Sequence, residues 1–506
     1  MSNANLYALF RSRFPQDPTD RLIETPDGEC WSYAELERET ARLARCLDVA
    51  GVRKGDRVIA QVDKSPHALF LYLACVRGGF VYVPLNTDYT QREVAYFIAN
   101  AEPRVVVGRP EAAAMLQALV ADRAGVVHTL DDRGGGTLLE ASGAVAPEFP
   151  IAPCQPDDLA AILYTSGTTG RPKGAMITHG NLAANGLTLH QAWGWQPGDV
   201  LLHALPIYHA HGLFVACHCA LLNGSKILFL PGFDAATVLA GLPRATVFMG
   251  VPTYYTRLLA HPGFTREICR GMRLFISGSA PLLASTFEAF QVRTGQAILE
   301  RYGMTETEMN TSNPLRGDRI AGTVGLPLPG VTVRLVDDQE RDVPVGAVGQ
   351  LLVRGRNVFP GYWRLPEQTA QEFTADGWFK TGDLGRQDAR GYITLVGRAK
   401  DLIITGGLNV YPKEVEACLD ALEGVLESAV IGLPHPDFGE AVAAVVVRAP
   451  GRAAVTEAAL IDRIKGELAG FKIPKRIFFT DHLPRNAMGK VQKNVLRAHY
   501  APATAG

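Results

Sequence analysis

Two periodicities alternate along the first 155 residues. Tyr33 to Ala50 repeats apolar positions at helical spacing, with Leu36, Leu43 and Leu47 on one side. Arg57 to Val62 is a short apolar run of strand length, and His67 to Val76 returns to the helical repeat. Gly78 to Asn86 predicts a strand closed by Pro84 and Asn86, Thr90 to Asn100 a helix, and Arg104 to Gly108 a further strand. Strands alternating with helices predict a parallel sheet with helices on its faces. The rhythm resumes at Asp158, with strands predicted over Leu159 to Tyr164, Leu201 to Leu205, Lys226 to Leu230, Ala245 to Val251, Arg273 to Ser277 and Ala297 to Tyr302. From Thr323 to Val396 the helical repeat is lost. Glycines such as Gly325, Gly330, Gly346 and Gly355 mark turns between short strands, which predicts a small β-barrel-like unit. Beyond Arg398 comes a mixed unit: helix Pro412 to Leu422, strands Ala429 to Leu433 and Val442 to Val447, helix Glu457 to Leu468 and strand Ile477 to Thr480.

The fold class is therefore α/β. A large N-terminal domain, residues 1–398, holds two mostly parallel helix-flanked sheets and the barrel-like unit, in subdomains of about 1–155, 156–322 and 323–398. A small α+β domain, residues 399–506, follows. A chain of 506 residues is too long for one core, which agrees with this division. A formal net charge of −1 removes bulk attraction to nucleic acid or to an anionic membrane. No apolar run reaches the ~18 residues of a bilayer span, and the N-terminus lacks the basic and apolar regions of a secretory signal. Eight scattered cysteines among apolar neighbours suit reduced core thiols, so a cytoplasmic location is expected. His209, His211, Cys217, His218 and Cys219 can be drawn as a metal site. Cys217 and Cys219 would face different sides of a helix, however, and the run Leu213 to Leu222 is otherwise apolar, so core is the preferred reading.

Chemistry concentrates first in Tyr164-Thr165-Ser166-Gly167-Thr168-Thr169-Gly170-Arg171-Pro172-Lys173-Gly174. Glycine turns can aim successive N–H groups at anionic oxygens. The hydroxyls add donors, and Arg171 and Lys173 add charge. A strand ends before this loop and a helix is predicted over Ile177 to Leu189, the layout of a phosphate-binding turn. Arg171 and Pro172 follow Gly170 where a Walker loop needs Lys and Ser or Thr, which disfavours a kinase-type or GTPase-type site. The string instead resembles the signature loop of the adenylate-forming enzymes, which include acyl-CoA synthetases, luciferases and peptide-synthetase adenylation domains.

That resemblance extends along the chain and implies roles. Tyr302-Gly303-Met304-Thr305-Glu306 is similar to the family's second motif, where the aromatic packs on adenine, Thr305 touches phosphate and Glu306, with Thr165, serves Mg²⁺. Thr165, Ser166, Gly167, Thr168, Thr169, Gly170 and Lys173 would hold the ATP phosphates, and Ser279, Ala280, Glu300, Gly303 and Met304 would line the nucleotide. Asp383 would take the ribose hydroxyls and Arg398 ribose and phosphate. Lys400 matches the hinge on which a mobile C-terminal lid turns, and Gly406 and Gly407 the path of the coenzyme A thiol. Lys490 matches the lysine that bridges carboxylate and α-phosphate; its acetylation by a lysine acetyltransferase would remove that charge. His209 matches the gate beside the acyl site, where a general-base role is disfavoured because a carboxylic acid is already ionised at neutral pH.

The acid itself is suggested by Arg301. A guanidinium inside an acyl pocket is costly without an anionic partner, and a second carboxylate on the substrate would supply one bidentately. The strings Glu300 to Glu306, Leu205 to Gly212 and Leu274 to Leu282 resemble malonyl-CoA synthetases, from about residue 5 to Tyr500. The resemblance implies ligation of malonate to coenzyme A with ATP and Mg²⁺, with methylmalonate as a second substrate. It places the distal carboxylate among Arg301, His209 and Ser277, and implies neither nucleic acid nor membrane as partner. The alternatives are another short- or medium-chain acyl-CoA synthetase and a nucleotide-binding regulator without turnover.

Overall fold

A computed structural model describes residues 3–121, 125–165, 172–406, 408–451, 455–486 and 489–501. Two large sheets dominate. The first has six strands in the order Val126–Thr129, Val105–Gly108, Arg57–Gln61, Val81–Pro84, Leu159–Thr165, Lys173–Thr178, all parallel except the last pair. Its inner strands Val81–Pro84 and Val105–Gly108 are buried at every position, as both faces of a helix-covered parallel sheet must be. The second sheet has nine strands, with a parallel centre that includes Val200–His203, Lys226–Phe229, Val247–Gly250, Leu274–Ser277 and Leu299–Met304. The sheets exchange chain segments: Arg21–Glu24 and Cys30–Ser32 join the second sheet, whereas Leu159–Thr165 and Lys173–Thr178 complete the first. One large apolar cluster therefore runs through both.

Local chemistry sets the helix boundaries. Ser32 with Glu35, and Thr90 with Glu93, form reciprocal capping boxes at the starts of Tyr33–Val49 and Gln91–Ala101. Pro66–Gly78 starts with Pro66 behind the Ser65 cap and ends at Gly79 in the left-handed region.

Two expectations need correction. The loop after Tyr164 does not lead into a helix. Lys173–Thr178 returns antiparallel to Leu159–Thr165, and the helix His179–Ala192 starts only after the Thr178 cap. The strands on either side of this loop thus pair as a hairpin, Thr165 opposite Lys173. The unit after Thr323 is not a barrel. Among the described residues it is an open four-stranded antiparallel sheet, Val331–Val336, Val348–Gly355, Phe379–Gln387 and Ile393–Arg398. Four strands are too few to close on themselves around a core of their own.

The C-terminal unit is a five-stranded sheet built on the long pair Val425–His435 and Gly439–Arg448, packed by Pro412–Asp420, Glu457–Ile464 and Lys493–Tyr500.

Candidate active site

The strand Leu299–Met304 carries the site in alternation. Its residues point to opposite faces, so Tyr302 turns one way and Arg301 the other. A bulge between Tyr302 and Gly303 shifts its pairing with Glu308–Ser312. Gly303 is required there, since a Cβ would stand 2.0 Å from the Glu308 carbonyl oxygen.

On the Tyr302 side the polar groups are largely paired with one another. The Tyr302 hydroxyl donates to Asp383 Oδ2 at 2.5 Å. The Arg398 guanidinium pairs with Asp383 Oδ1 at 2.8 Å, across the register between their strands. Burial, with the Asp383 charge behind it, holds the Tyr302 hydroxyl far above the usual phenol range. Glu306 is buried and makes no ion pair among the described residues; Tyr362 donates to its Oε1 at 3.0 Å and Thr165 at 3.4 Å. Burial raises its carboxyl. A buried acid beside a threonine hydroxyl, lacking a basic partner, fits a hard divalent cation. Lys173 turns away to Glu372 at 2.9 Å, with its ammonium 4.3 Å from the Tyr362 ring centre. Glu300 accepts from the Leu282 amide at 3.1 Å through one oxygen, and the other has no partner; burial pushes this carboxyl up to about 8.

The Arg301 side is the reverse. Arg301 is 3% exposed, and its Nε and Nη2 have no hydrogen-bond partner. The guanidinium lies on the Gly278 backbone, where a Cβ would come within 2.3 Å of its Cζ. Other buried atoms without a partner among the described residues are Ser277 Oγ, His209 Nε2, His211 Nε2 and Glu308 Oε1, and His211 and Glu308 are in electrostatic range of Arg301. Ser279, a non-glycine residue at φ +70°, is hydrogen-bonded to His211 Nδ1 at 3.2 Å. Burial pulls His209 down to about 4 and, with Arg301, pulls His211 lower still, so both are neutral at pH 7. Burial lowers Arg301 only to about 10, so it keeps its proton.

The C-terminal unit closes over the Tyr302 side. A Cβ at Gly489 would lie 3.5 Å from Thr253 Oγ1, on the helix Pro252–Ala260. Lys490 is exposed, in electrostatic range of Arg398, Asp383, Lys400 and Asp401. Desolvation first, then Arg398 and Lys400, pull its ammonium down to about 8, against Asp383 and Asp401. Lys400 sits in the turn Ala399–Asp401, whose Asp401 pairs with Arg497 at 2.8 Å. Gly406, at φ +57°, donates to the Phe438 carbonyl at 2.9 Å. Ala280, Met304 and Thr305 are half-buried on the rim. Ser166, Gly167, Thr168, Thr169, Gly170 and Gly407 lie outside the described residues.

Sequence reasoning missed Tyr362, Glu372 and Glu308, and gave His211 no part in the acyl site. Tyr362 reaches Glu306 across 56 positions, and no local pattern announces such a contact. His211 had a signal: it shares a short motif with His209, two residues away.

Fold, cleft and motif residues together define an AMP-binding enzyme. The chain belongs to the AMP-binding enzyme family, whose model matches residues 10–363, and it carries that family's C-terminal domain at 414–490. It is similar to the crystal structure of ATP-bound MatB from Rhodopseudomonas palustris, at 54% identity over 99% of this chain and 100% of that one, with a TM-score of 0.97. Against apo MatB from the same organism the identity is also 54%, but the TM-score is 0.87, so the domain arrangement is nearer to the ATP-bound one. Among curated proteins it is 38% identical to feruloyl-CoA synthase from an Amycolatopsis species, over 94% of each chain. It is 37% identical to the mitochondrial malonate–CoA ligase of Mus musculus, over 92% of this chain and 85% of that one.

Proposed function

We propose that the chain is an ATP-dependent malonate–CoA ligase that converts malonate, ATP and coenzyme A to malonyl-CoA, AMP and diphosphate through a malonyl-adenylate. One observation carries the choice of acid: a buried guanidinium with two unpartnered nitrogens in an otherwise neutral pocket. An anionic group on the substrate would both accept from these nitrogens and balance the buried charge. The feruloyl-CoA synthase relative raises an aromatic acid as the competitor, and such a tail leaves Arg301 unpaired.

The chemistry follows from the residues. Arg301, with Ser277 and His209, holds the distal carboxylate and so aims the other at the α-phosphorus of ATP. Tyr302 packs on the adenine, Glu300 accepts from its amino group through the unpartnered oxygen, and Asp383 and Arg398 hold the ribose. Met304, Thr305, Ser279 and Ala280 line this side, and the hairpin end with Lys173 meets the phosphates. A carboxylate oxygen of malonate attacks the α-phosphorus, and the bond to pyrophosphate breaks. The Lys490 ammonium offsets the charge that builds there. Glu306 and Thr165 would hold Mg²⁺, which supplies charge neutralisation to the phosphates when bound. The C-terminal domain, residues 399–506, then turns at Lys400, withdraws Lys490 and brings Gly406 and Gly407 to the thiol path. The thiol attacks the acyl carbon of the mixed anhydride, and AMP leaves. One extra methyl is worth only about 1 to 3 kcal/mol of discrimination, so methylmalonate is accepted too. Acetylation of Lys490 would stop the first step and spare the second.

Pyrophosphate release with malonate, methylmalonate, succinate, octanoate and ferulate tests this reading. Malonate should lead. A faster reaction with octanoate or ferulate overturns the substrate, and no release with any acid overturns the ligase in favour of a regulator. No helix among the described residues is long and apolar enough to cross a membrane.

A further inference from the structure

Behind the acyl pocket lies a second cation that the mechanism does not use. Lys64 follows the strand Arg57–Gln61 of the first sheet and reaches across to the second. Its ammonium makes no ion pair among the described residues. It lies 2.7 Å from His203 Nδ1, donates to the His203 carbonyl at 2.9 Å, and stands 4.5 Å from the centre of the Phe229 ring. His203 ends the strand Val200–His203 and is 1% exposed. Its ring stacks on Phe229, and its Nε2 donates to the Gly212 carbonyl at 2.9 Å.

These contacts fix a tautomer. An ammonium offers only donors, so Nδ1 must be the acceptor and the imidazole proton must sit on Nε2. Burial, with Lys64 beside it, keeps this imidazole neutral. The proton on Nε2 then holds the Gly212 carbonyl. Gly212 lies in a tight fold, where a Cβ would meet the Pro206 carbonyl oxygen at 2.0 Å. It also lies inside the π-helical turn His211–Cys217, a rare geometry that clusters at functional sites. His209 and His211 project from this backbone, and His211 is in electrostatic range of Arg301.

We propose that Lys64 is a positioning residue for the acyl pocket: through His203 it pins the 206–212 turn, so that His209 and His211 face Arg301 at the spacing a short diacid requires. Bracing alone does not call for a lysine. Burial pulls this ammonium down to about 7, and a neutral donor would meet the same contacts at less cost. What a lysine adds is reach with several donors: its terminal nitrogen can bond Nδ1 and the His203 carbonyl together, in either protonation state.

The inference rests on the malonate reading, which wild-type turnover of malonate checks by itself. Lys64→Met should raise the malonate KM about ten- to a hundredfold, the range for lost outer-shell orientation. kcat and the ATP KM should stay within about twofold, since lost fold alone lowers the active fraction and not the malonate KM. His203→Gln supplies an amide N–H to Gly212 with no tautomer to choose. In that background Lys64→Met should change the malonate KM by less than about twofold, the non-additivity of a shared path. An equal effect of Lys64→Met in both backgrounds overturns the proposal. So does a fall in melting temperature with the malonate KM unchanged.

Discussion

Neighbouring residues of one strand serve two unlike regions. Tyr302 faces a network joined within the protein: hydroxyl to Asp383, Asp383 to Arg398. Arg301 faces a pocket in which two guanidinium nitrogens, a serine hydroxyl and one nitrogen on each of two imidazoles have no partner among the described residues. On the proposed function, the first region would read a nucleotide by shape and can be rigid beforehand. The second would select by charge, and a cation already paired within the protein would have nothing left to select with.

The sharpest way to break this contrast is to remove each anchor and follow activity and stability together. Arg301→Met should lower kcat/KM for malonate about 10²- to 10³-fold, as expected for truncating one side of a buried charge pair. It should also raise the melting temperature, because an uncompensated buried charge is lost. Loss of stability, or unchanged malonate activity, would show that Arg301 is an internal brace. Asp383→Asn should act oppositely on the fold. It weakens a paired Arg398, costing about 1 to 3 kcal/mol of stability, and raises the ATP KM about tenfold. A melting temperature that moves the same way in both variants would remove the distinction.

The sequence pattern showed the paired and the unpaired region unequally. Alternation puts Arg301 and Tyr302 on opposite faces, and the cost of a buried guanidinium points to a diacid from sequence alone. The strands around them were legible because parallel strands are short apolar runs bounded by helices. Three features were not. The strand Lys173–Thr178 was hidden because its six residues continue into the helix His179–Ala192 with no turn residue other than the capping Thr178. The open sheet after Thr323 looked closed because glycine turns give strand count and not curvature. The Lys64–His203–Gly212 chain crosses between sheets 139 positions apart, and spacing along the chain carries no trace of it.

The two regions also differ in how they titrate, which gives the smallest effect and the finest division between them. Arg301, lowered only to about 10, stays a cation across pH 6 to 9. Lys490, drawn down to about 8 by burial and by Arg398 and Lys400, does not. A lysine that must be charged to offset phosphate loses effect as pH rises through its own value, so kcat/KM for adenylation should fall above about pH 8. The fall should be roughly tenfold by pH 9, one unit past an apparent value that belongs to the free enzyme. Glu308, held near Arg301 and raised by burial to about 8, is the rival source of the same limb, since its anion would repel malonate. Lys490→Arg separates them. A guanidinium does not titrate in this range, so the variant, though slower, should show a flat profile to about pH 9. If the alkaline fall persists in Lys490→Arg, the titrating group is a buried carboxyl raised to about 8, Glu308 or Glu300, and adding Glu308→Gln tells the acyl end from the nucleotide side.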